Sequence, residues 1–245
     1  MVIAMELIEV ETFAIQRTPP FLDDKVLIVA GGKPPNDLWF KKISKDFDIW
    51  AVDGGVRYCR KLDITPKVLI GDGDSSSSGD WIWAQRGGTK AYKYPKDKDY
   101  TDLQLTLMQI GESYKSASVF VTAGLGGRLD HTMSNVFSLL WAEKWGVNAV
   151  GFIDDEESLL LLRCCEELKI FFKERPLAIS LLSLSPQSQG VYLRGVKWEL
   201  EDATLKLEEP FAISNELKYE EKVVHLRVES GCVGIYICHP RGGLK

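Results

Sequence analysis

The sequence predicts an α/β protein in two parts: an N-terminal, mostly parallel sheet with helices on both faces, and a C-terminal all-β sandwich. Two observations carry that prediction. Strand-like and helix-like stretches alternate from about residue 25 to 153, and after about residue 155 the helical pattern stops while short strand-like pieces continue. A chain of 245 residues has room for two domains, each with a real core.

In the first part "KVLIVAGG" (25–32), "FDIWAVDGG" (47–55), "KVLIGDGD" (67–74), "KAYKYP" (90–95), "ASVFVTAGLGG" (117–127) and "NAVGFID" (148–154) read as strands. Most are apolar and β-branched or aromatic, and most run into Gly, Asp or Pro. Between them "DLWFKKIS" (37–44), "VRYCRKL" (56–62), "DWIWAQRG" (80–87), "TDLQLTLMQIGESY" (101–114) and "LDHTMSNVFSLLWAEKW" (129–145) read as helices, several with apolar residues at helical spacing. Such alternation implies a Rossmann-like sheet covered on both faces. In the second part "LAISLLSL" (177–184), "GVYLRGV" (190–196), "ATLKL" (203–207), "KVVHLRV" (222–228) and "VGIYIC" (233–238) are strand-like and separated by turn-formers. The expected division is an N-terminal extension over 1–24, closed by Pro19–Pro20, an α/β domain over 25–154 and a β-sandwich domain over 155–245.

Composition narrows the function classes. Hydrophobic residues make up 45% and charged residues 27%, as in soluble globular proteins, and the net charge of −5 lacks the basic footprint of a nucleic-acid binder. The five cysteines include the adjacent pair Cys164–Cys165 but no C-x-x-C, which reads as reduced thiols in a cytoplasmic protein. The first residues lack the basic-then-apolar order of a secretory signal, and the four leucines Leu159–Leu162 form a run too short to span a bilayer.

The residues that suggest chemistry gather where strands end. Asp53, Gly54 and Gly55 follow the second strand, and Asp72, Asp74 and Ser75 follow the third. Asp97, Asp99 and Asp102 follow the fourth, and Gly126, Gly127, Arg128, Asp130 and His131 follow the fifth. Open α/β sheets bind ligands beyond the carboxyl ends of their strands, so four loops would bring carboxylates and glycines to one rim. Carboxylates two apart, as Asp72 and Asp74, suit a divalent ion with phosphates, and a glycine between them admits close approach to the backbone. Thr101 with Gln104 has the form of a capping box, which places Asp102 in the first helical turn. Gly126 and Gly127 before a helix leave N–H groups for an anion, Arg128 offers a planar fork, and Asp130 reads as an N-cap. Turn-making, helix-dipole and surface-pair roles remain open for these residues taken singly. No P-loop, G-x-G-x-x-G, EF-hand or G-x-S-x-G pattern is present.

In this order "VDGG", "IGDGDS", "YPKDKDYTDLQLTL", "GGRLDHTMSN", "GVKWELEDATL", "FAISNE" and "VESGCVGIYI" closely resemble the motifs of the thiamine pyrophosphokinase family, over roughly residues 25–240. The resemblance implies transfer of a pyrophosphoryl group from ATP to thiamine, giving thiamine diphosphate and AMP. It also implies Mg²⁺ as cofactor and a homodimer, with thiamine held where one subunit's α/β domain meets its partner's β domain. Carried onto this sequence, Asp72, Asp74 and Asp102 bind the metal, with Asp99 beside them as a further catalytic carboxylate. Asp53, Gly54, Gly55, Ser75, Thr101, Gly126, Gly127, Arg128, Asp130 and His131 then line the ATP and phosphate site. Trp198, Ser214 and Asn215 contact thiamine, Trp198 as an aromatic wall. Two departures stand out: Val56–Arg57 follows "DGG" where the family has a small residue and Asn, and Gly73 stands where an apolar residue is usual. The serine run 75–78 has no role by resemblance. A kinase or phosphohydrolase for another small alcohol, and a non-catalytic thiamine or nucleotide sensor, are the competing readings.

Overall fold

The computed structural model describes residues 7–240. Its first two strands are β1 (Ile8–Val10) and β2 (Phe13–Thr18). An alternating βα series follows: β3 (Asp24–Val29), α1 (Asp37–Ile43), β4 (Asp48–Val52), α2 (Val56–Lys61), β5 (Val68–Gly71), α3 (Ser78–Arg86), β6 (Lys90–Lys93), α4 (Asp102–Ser113), β7 (Ala117–Thr122), α5 (Leu129–Trp141) and β8 (Asn148–Ile153). Strands alone complete the chain: β9 (Glu157–Arg163), β10 (Glu166–Phe172), β11 (Ala178–Ser183), β12 (Gln187–Arg194), β13 (Leu200–Lys206), β14 (Val223–Val228) and β15 (Cys232–Cys238).

The chain separates into two units. In the first, Leu22–Asp154, six strands pair in the order β8-β7-β3-β4-β5-β6, and every pairing is parallel. The central strands lack polar alternation: Val26, Leu27, Ile28 and Val29 are wholly buried and all six residues of β7 are buried, as expected of strands covered on both faces. Edge strand β6 instead reads "KAYK" and ends in exposed lysines, which discourages further pairing. Parallel pairing puts the carboxyl ends of all six strands on one edge, where the βα loops gather. Two of the helices start with capping boxes, Ser77 with Asp80 in α3 and Thr101 with Gln104 in α4.

The second unit joins the residues before Leu22 to those from Asp155 onward. One antiparallel sheet runs β1-β2-β10-β14-β12-β13, and an antiparallel set runs β11-β15-β9. In β10 and β14 buried and part-exposed residues alternate, the period of a sheet with one wet face. Residues 1–24 were expected to be an extension outside both domains. That expectation is corrected for the described part: β2 pairs with β10 from Thr18↔Glu167 to Phe13↔Phe172, and Phe13 and Ile15 are fully buried. The physical reason lies far along the chain. Arg17 is buried because its guanidinium pairs with the buried Glu166, whose other oxygen accepts the Arg163 amide at 2.8 Å. His239 adds a second tie: its ring stacks on Phe13, its Nε2 lies 3.0 Å from Ser158 Oγ and its Nδ1 3.3 Å from Thr12 Oγ1. Among the described residues no helix is long and apolar enough to cross a membrane.

Two stability predictions follow from these ties. Replacing Arg17 by Met leaves the Glu166 charge buried without its cation and is expected to cost about 3–5 kcal/mol in urea unfolding, most of it regained in Arg17→Met/Glu166→Leu. Burial pushes the His239 pKa from 6.5 down to about 4. The unfolded chain therefore binds the proton more readily, so this contribution is complete above pH 6.5 and is lost as pH falls toward 4. Between pH 7.5 and 5 the wild type should lose about 2 kcal/mol more than His239→Gln, compared by urea midpoints at each pH.

Candidate active site

At the carboxyl end of β4 the chain turns so tightly that Asp53 adopts a left-handed φ of 38° and is 5% exposed. The turn lies against β3: a Cβ at Gly55 would fall 1.9 Å from the Val29 carbonyl oxygen, so only glycine fits there. Asp53 then organises the loop after β5. Its Oδ1 accepts the Gly73 amide at 3.1 Å and the Ser76 hydroxyl at 3.4 Å, and its Oδ2 accepts the Ser75 amide at 3.1 Å. Gly71 ends β5 directly beside it, where a Cβ would come within 2.7 Å of Asp53 Cβ.

This loop folds Asp72 and Asp74 toward Asp53. The three residues each offer one carboxylate oxygen, all within 4.8 Å of one another. Asp72 Oδ1 accepts the Asp74 amide at 3.0 Å, and the Ser75 hydroxyl donates to Asp74 Oδ1 at 3.0 Å. The serine run gains definite roles as well. Ser76 Oγ accepts Trp81 Nε1 at 2.8 Å, and Ser77 caps α3 in a box whose Asp80 also pairs with Arg60 at 2.8 Å. The Ser77 and Arg60 contacts outweigh burial and hold the Asp80 carboxyl below its ordinary range.

Two lysines from the loop after β6 enter this acidic group. Lys98 Nζ donates to Asp72 Oδ2 at 2.9 Å and lies 3.2 Å from Asp102 Oδ1, an ion pair outside hydrogen-bond geometry. Lys96 Nζ lies 3.1 Å from Asp74 Oδ2. Lys98 holds the Asp72 carboxyl below its ordinary range, against the effect of burial. Asp102 goes the other way: burial raises its pKa, Lys98 opposes, and the charges of Asp72 and Asp53 push it up further. Burial would lower the Lys98 pKa, but its bond to Asp72 and its ion pairing with Asp72 and Asp102 carry it upward. The grouping thus differs from the expected Asp72, Asp74 and Asp102. Asp53 stands among the clustered carboxylates, and Asp102, in the first turn of α4, is joined to them through Lys98. A donor set of three carboxylates on strand-end loops suits a small hard divalent ion that keeps part of its water shell. Asp99 is exposed and lies outside the cluster, and Thr101 is occupied as the N-cap of α4.

The loop after β7 is the other half of the rim. Gly126 and Gly127 both take left-handed φ, and Gly126, Gly127, Arg128, Asp130 and His131 are all exposed. Asp130 is not the N-cap of α5. Arg128 holds that position, and Asp130 sits in the first turn, accepting Arg128 Nε at 3.1 Å and Nη2 at 2.5 Å. A carboxylate there faces the positive helix end and meets a fork of matching geometry, so the pair forms within the turn. Behind this loop Asp154, buried at the end of β8, accepts the Thr122 hydroxyl at 2.5 Å and the Ala123 amide at 2.9 Å. Arg57, the departure after "DGG", folds back to donate to the Gly54 carbonyl at 3.0 Å, and Tyr58 donates to Gly32 at 2.6 Å.

In the β unit Trp198, Ser214 and Asn215 lie together. The Asn215 side chain is a clamp on the Trp198 backbone, accepting its amide at 3.1 Å and donating to its carbonyl at 2.7 Å. Ser214, at φ 57°, donates its amide to Ser180 Oγ at 2.9 Å. Trp198 is 55% exposed, and the Lys197 ammonium lies 4.5 Å from its ring centre, so the ring is no part of a sandwich core.

Sequence reasoning passed over Lys96, Lys98 and Asp154. The i,i+4 spacing of Lys98 to Asp102 was a usable signal, as was a carboxylate ending the last apolar strand. Nothing local marks Lys96.

Comparison with known proteins bears on both units. The thiamin pyrophosphokinase catalytic domain matches residues 40–150, and the thiamin pyrophosphokinase vitamin B1 binding domain matches residues 168–233. A thiamine pyrophosphokinase of Bacillus subtilis is 29% identical over 195 residues, covering 78% of this chain and 88% of the relative. The crystal structure of thiamine pyrophosphokinase from Bacillus subtilis superposes with a TM-score of 0.73 at 23% identity, covering 89% of this chain and 100% of that one. Thiamin pyrophosphokinase from Candida albicans does so with a TM-score of 0.74 at 18% identity, covering 88% and 89%. Both carry the same mixed α/β fold with a C-terminal β-rich domain. With both domain matches in chain order and spanning most of the sequence, this chain belongs to the thiamin pyrophosphokinase family.

Proposed function

We propose that this chain, an enzyme of the thiamine pyrophosphokinase type, moves the pyrophosphoryl group of ATP onto the hydroxyl oxygen of thiamine, giving thiamine diphosphate and AMP. The observation that carries the reading is the meeting of Asp53, Asp72 and Asp74, with carboxylate oxygens within 4.8 Å of one another at the carboxyl ends of parallel strands. Mg²⁺ held by these three carboxylates would supply charge neutralisation for the phosphates of ATP.

Phosphoryl-type transfer depends on positioning and electrostatics more than on covalent chemistry, and the remaining residues divide those tasks. The left-handed Gly126 and Gly127 and the amino end of α5 offer N–H groups to phosphate oxygens, with Arg128 as a fork beside them. Lys96 and Lys98 hold Asp74 and Asp72 in place and bring positive charge to the side of the site away from Arg128's loop. Asp102 is the carboxylate suited to accept the hydroxyl proton, because burial raises its affinity for one. In the β unit the exposed Trp198 face takes the thiazolium cation, a contact worth about 0.5–2 kcal/mol, and its approach to the Lys197 ammonium supports that role. Asn215 fixes the Trp198 backbone, and Ser214 borders it.

On this reading the unit Leu22–Asp154, with a Rossmann-like layering of helices on both sheet faces, handles ATP and metal, and the β unit handles thiamine. The working form is a homodimer. Support for a covered face comes from Leu129, Met133 and Phe137, exposed one turn apart along α5.

The test is AMP formation by the purified chain with ATP and Mg²⁺, with and without thiamine. AMP produced only with thiamine is the expected result, and AMP produced equally without it would replace the transferase with a phosphohydrolase. Asp74→Asn should keep the melting temperature of the wild type and lose more than about 100-fold in kcat, the scale of a misplaced phosphate. Wild-type turnover in that variant would remove Asp74 from the metal group. Trp198→Ala should raise the KM for thiamine by roughly 2–30-fold with the KM for ATP unchanged. Equal effects on both substrates would assign the ring a structural role instead.

A further inference from the structure

The turn between β9 and β10 consists of Cys164 and Cys165, both exposed. Neighbouring residues in an extended strand point to opposite faces, which would hold two adjacent thiols apart. Here Cys165 takes a left-handed φ of 63° and donates its amide to the Val228 carbonyl at 2.9 Å, so the turn swings both side chains to the same side. The sulfurs lie 3.1 Å apart, and both approach one acceptor, the Glu229 carbonyl oxygen, at 3.1 and 3.6 Å. The turn is anchored on its far side by Glu166, buried and paired with Arg17 and the Arg163 amide, so that carboxylate is already engaged.

We propose that Cys164 and Cys165 form a preorganised dithiol site for a soft, thiophilic centre of the trivalent-arsenic type. Soft thiolate ligands select such centres over the hard ions suited to the aspartate cluster, so the two sites take different chemical classes. With a monosubstituted arsenoxide the chemistry balances without any oxidant. Two S–H bonds and the arsenic–oxygen double bond break, two arsenic–sulfur bonds form, and the oxygen leaves as water with both thiol protons. The other thiols do not compete as a pair. Cys59 is buried, its thiol pushed up to about 12 by that burial, and Cys232 and Cys238 are half-buried and stand at opposite ends of β15.

The experiment uses the full reduced chain and phenylarsine oxide, with accessible thiols counted by a chromogenic aromatic disulfide. In the wild type one bound arsenical should remove two thiols from the count, and a 1,2-dithiol should restore both where a monothiol does not. Cys164→Ser and Cys165→Ser should each weaken arsenical binding by at least about 100-fold, because the second sulfur then no longer acts at high effective concentration. Cys232→Ser should bind as the wild type does. The proposal is overturned if one arsenical removes a single thiol from the wild type, or if Cys164→Ser binds within about threefold of it. It is equally overturned if Cys232→Ser loses the site. The wild-type thiol count needs no variant, so it decides the matter even where a serine variant folds poorly.

Discussion

Asp53 occupies the point where two strands hand over to the loops, and both of its oxygens are committed to the backbone of the next loop. A buried carboxylate is costly unless its lone pairs are met by donors, and here the amides of Gly73 and Ser75 meet them. That requirement bends the chain after β5 back toward β4. It explains why Asp72 and Asp74, which an extended strand would carry away into solvent, end beside Asp53. The glycines around it serve the same geometry: Gly55 lets the turn approach β3, and Gly71 leaves room for the Asp53 side chain. The serines that follow extend the network, Ser76 to Asp53 and to the Trp81 ring nitrogen, Ser77 into the start of α3. A loop that reads as a loose Gly- and Ser-rich bend is therefore tied at nearly every residue.

Bringing three carboxylates within 4.8 Å raises a second constraint, mutual repulsion in a partly dry site. The chain meets it with lysines from a different strand end. Lys98 is 13% exposed and lies between Asp72 and Asp102, and Lys96 reaches Asp74 from water. The opposite directions in which Asp72 and Asp102 shift follow from this arrangement. For Asp72 the well-directed Lys98 bond outweighs burial, whereas for Asp102 burial outweighs Lys98 and two like charges push the same way. Neighbouring carboxylates held apart in proton affinity are a pattern of sites that must bind charge and move a proton together.

The β unit closes on a different principle. Its sheet is completed by the beginning of the chain, with β2 bound along β10 and the Arg17–Glu166 pair buried between segments 149 residues apart. His239, near the other end of the described chain, stacks on Phe13 and bonds to Ser158. Segments near the two ends of the described residues thus hold one another in a single unit, and the long βα series is an excursion between them.

The element series was legible from residue 24 to 153 because parallel strands buried on both faces are nearly continuous apolar runs, and amphipathic helices have their own period. The Thr101–Gln104 cap was equally local, since a capping box is written within four residues. The candidate residues Asp53, Asp72, Asp74, Asp102 and Arg128 were legible as residue types at strand ends. Their partnerships were not. That Asp53 rather than Asp102 joins the carboxylate group, and that Lys98 bridges Asp72 and Asp102, depend on which loops approach each other. The strand identity of residues 8–18 was hidden for the same reason: the pairing partner and the counter-charge that make burial of Arg17 possible come from residues 166–172. Local periodicity and turn chemistry are properties of neighbours in sequence, so the sequence alone determined the order of elements and the inventory of charged groups. Charge pairing and strand pairing act through space, so only the tertiary structure decided which of those groups meet.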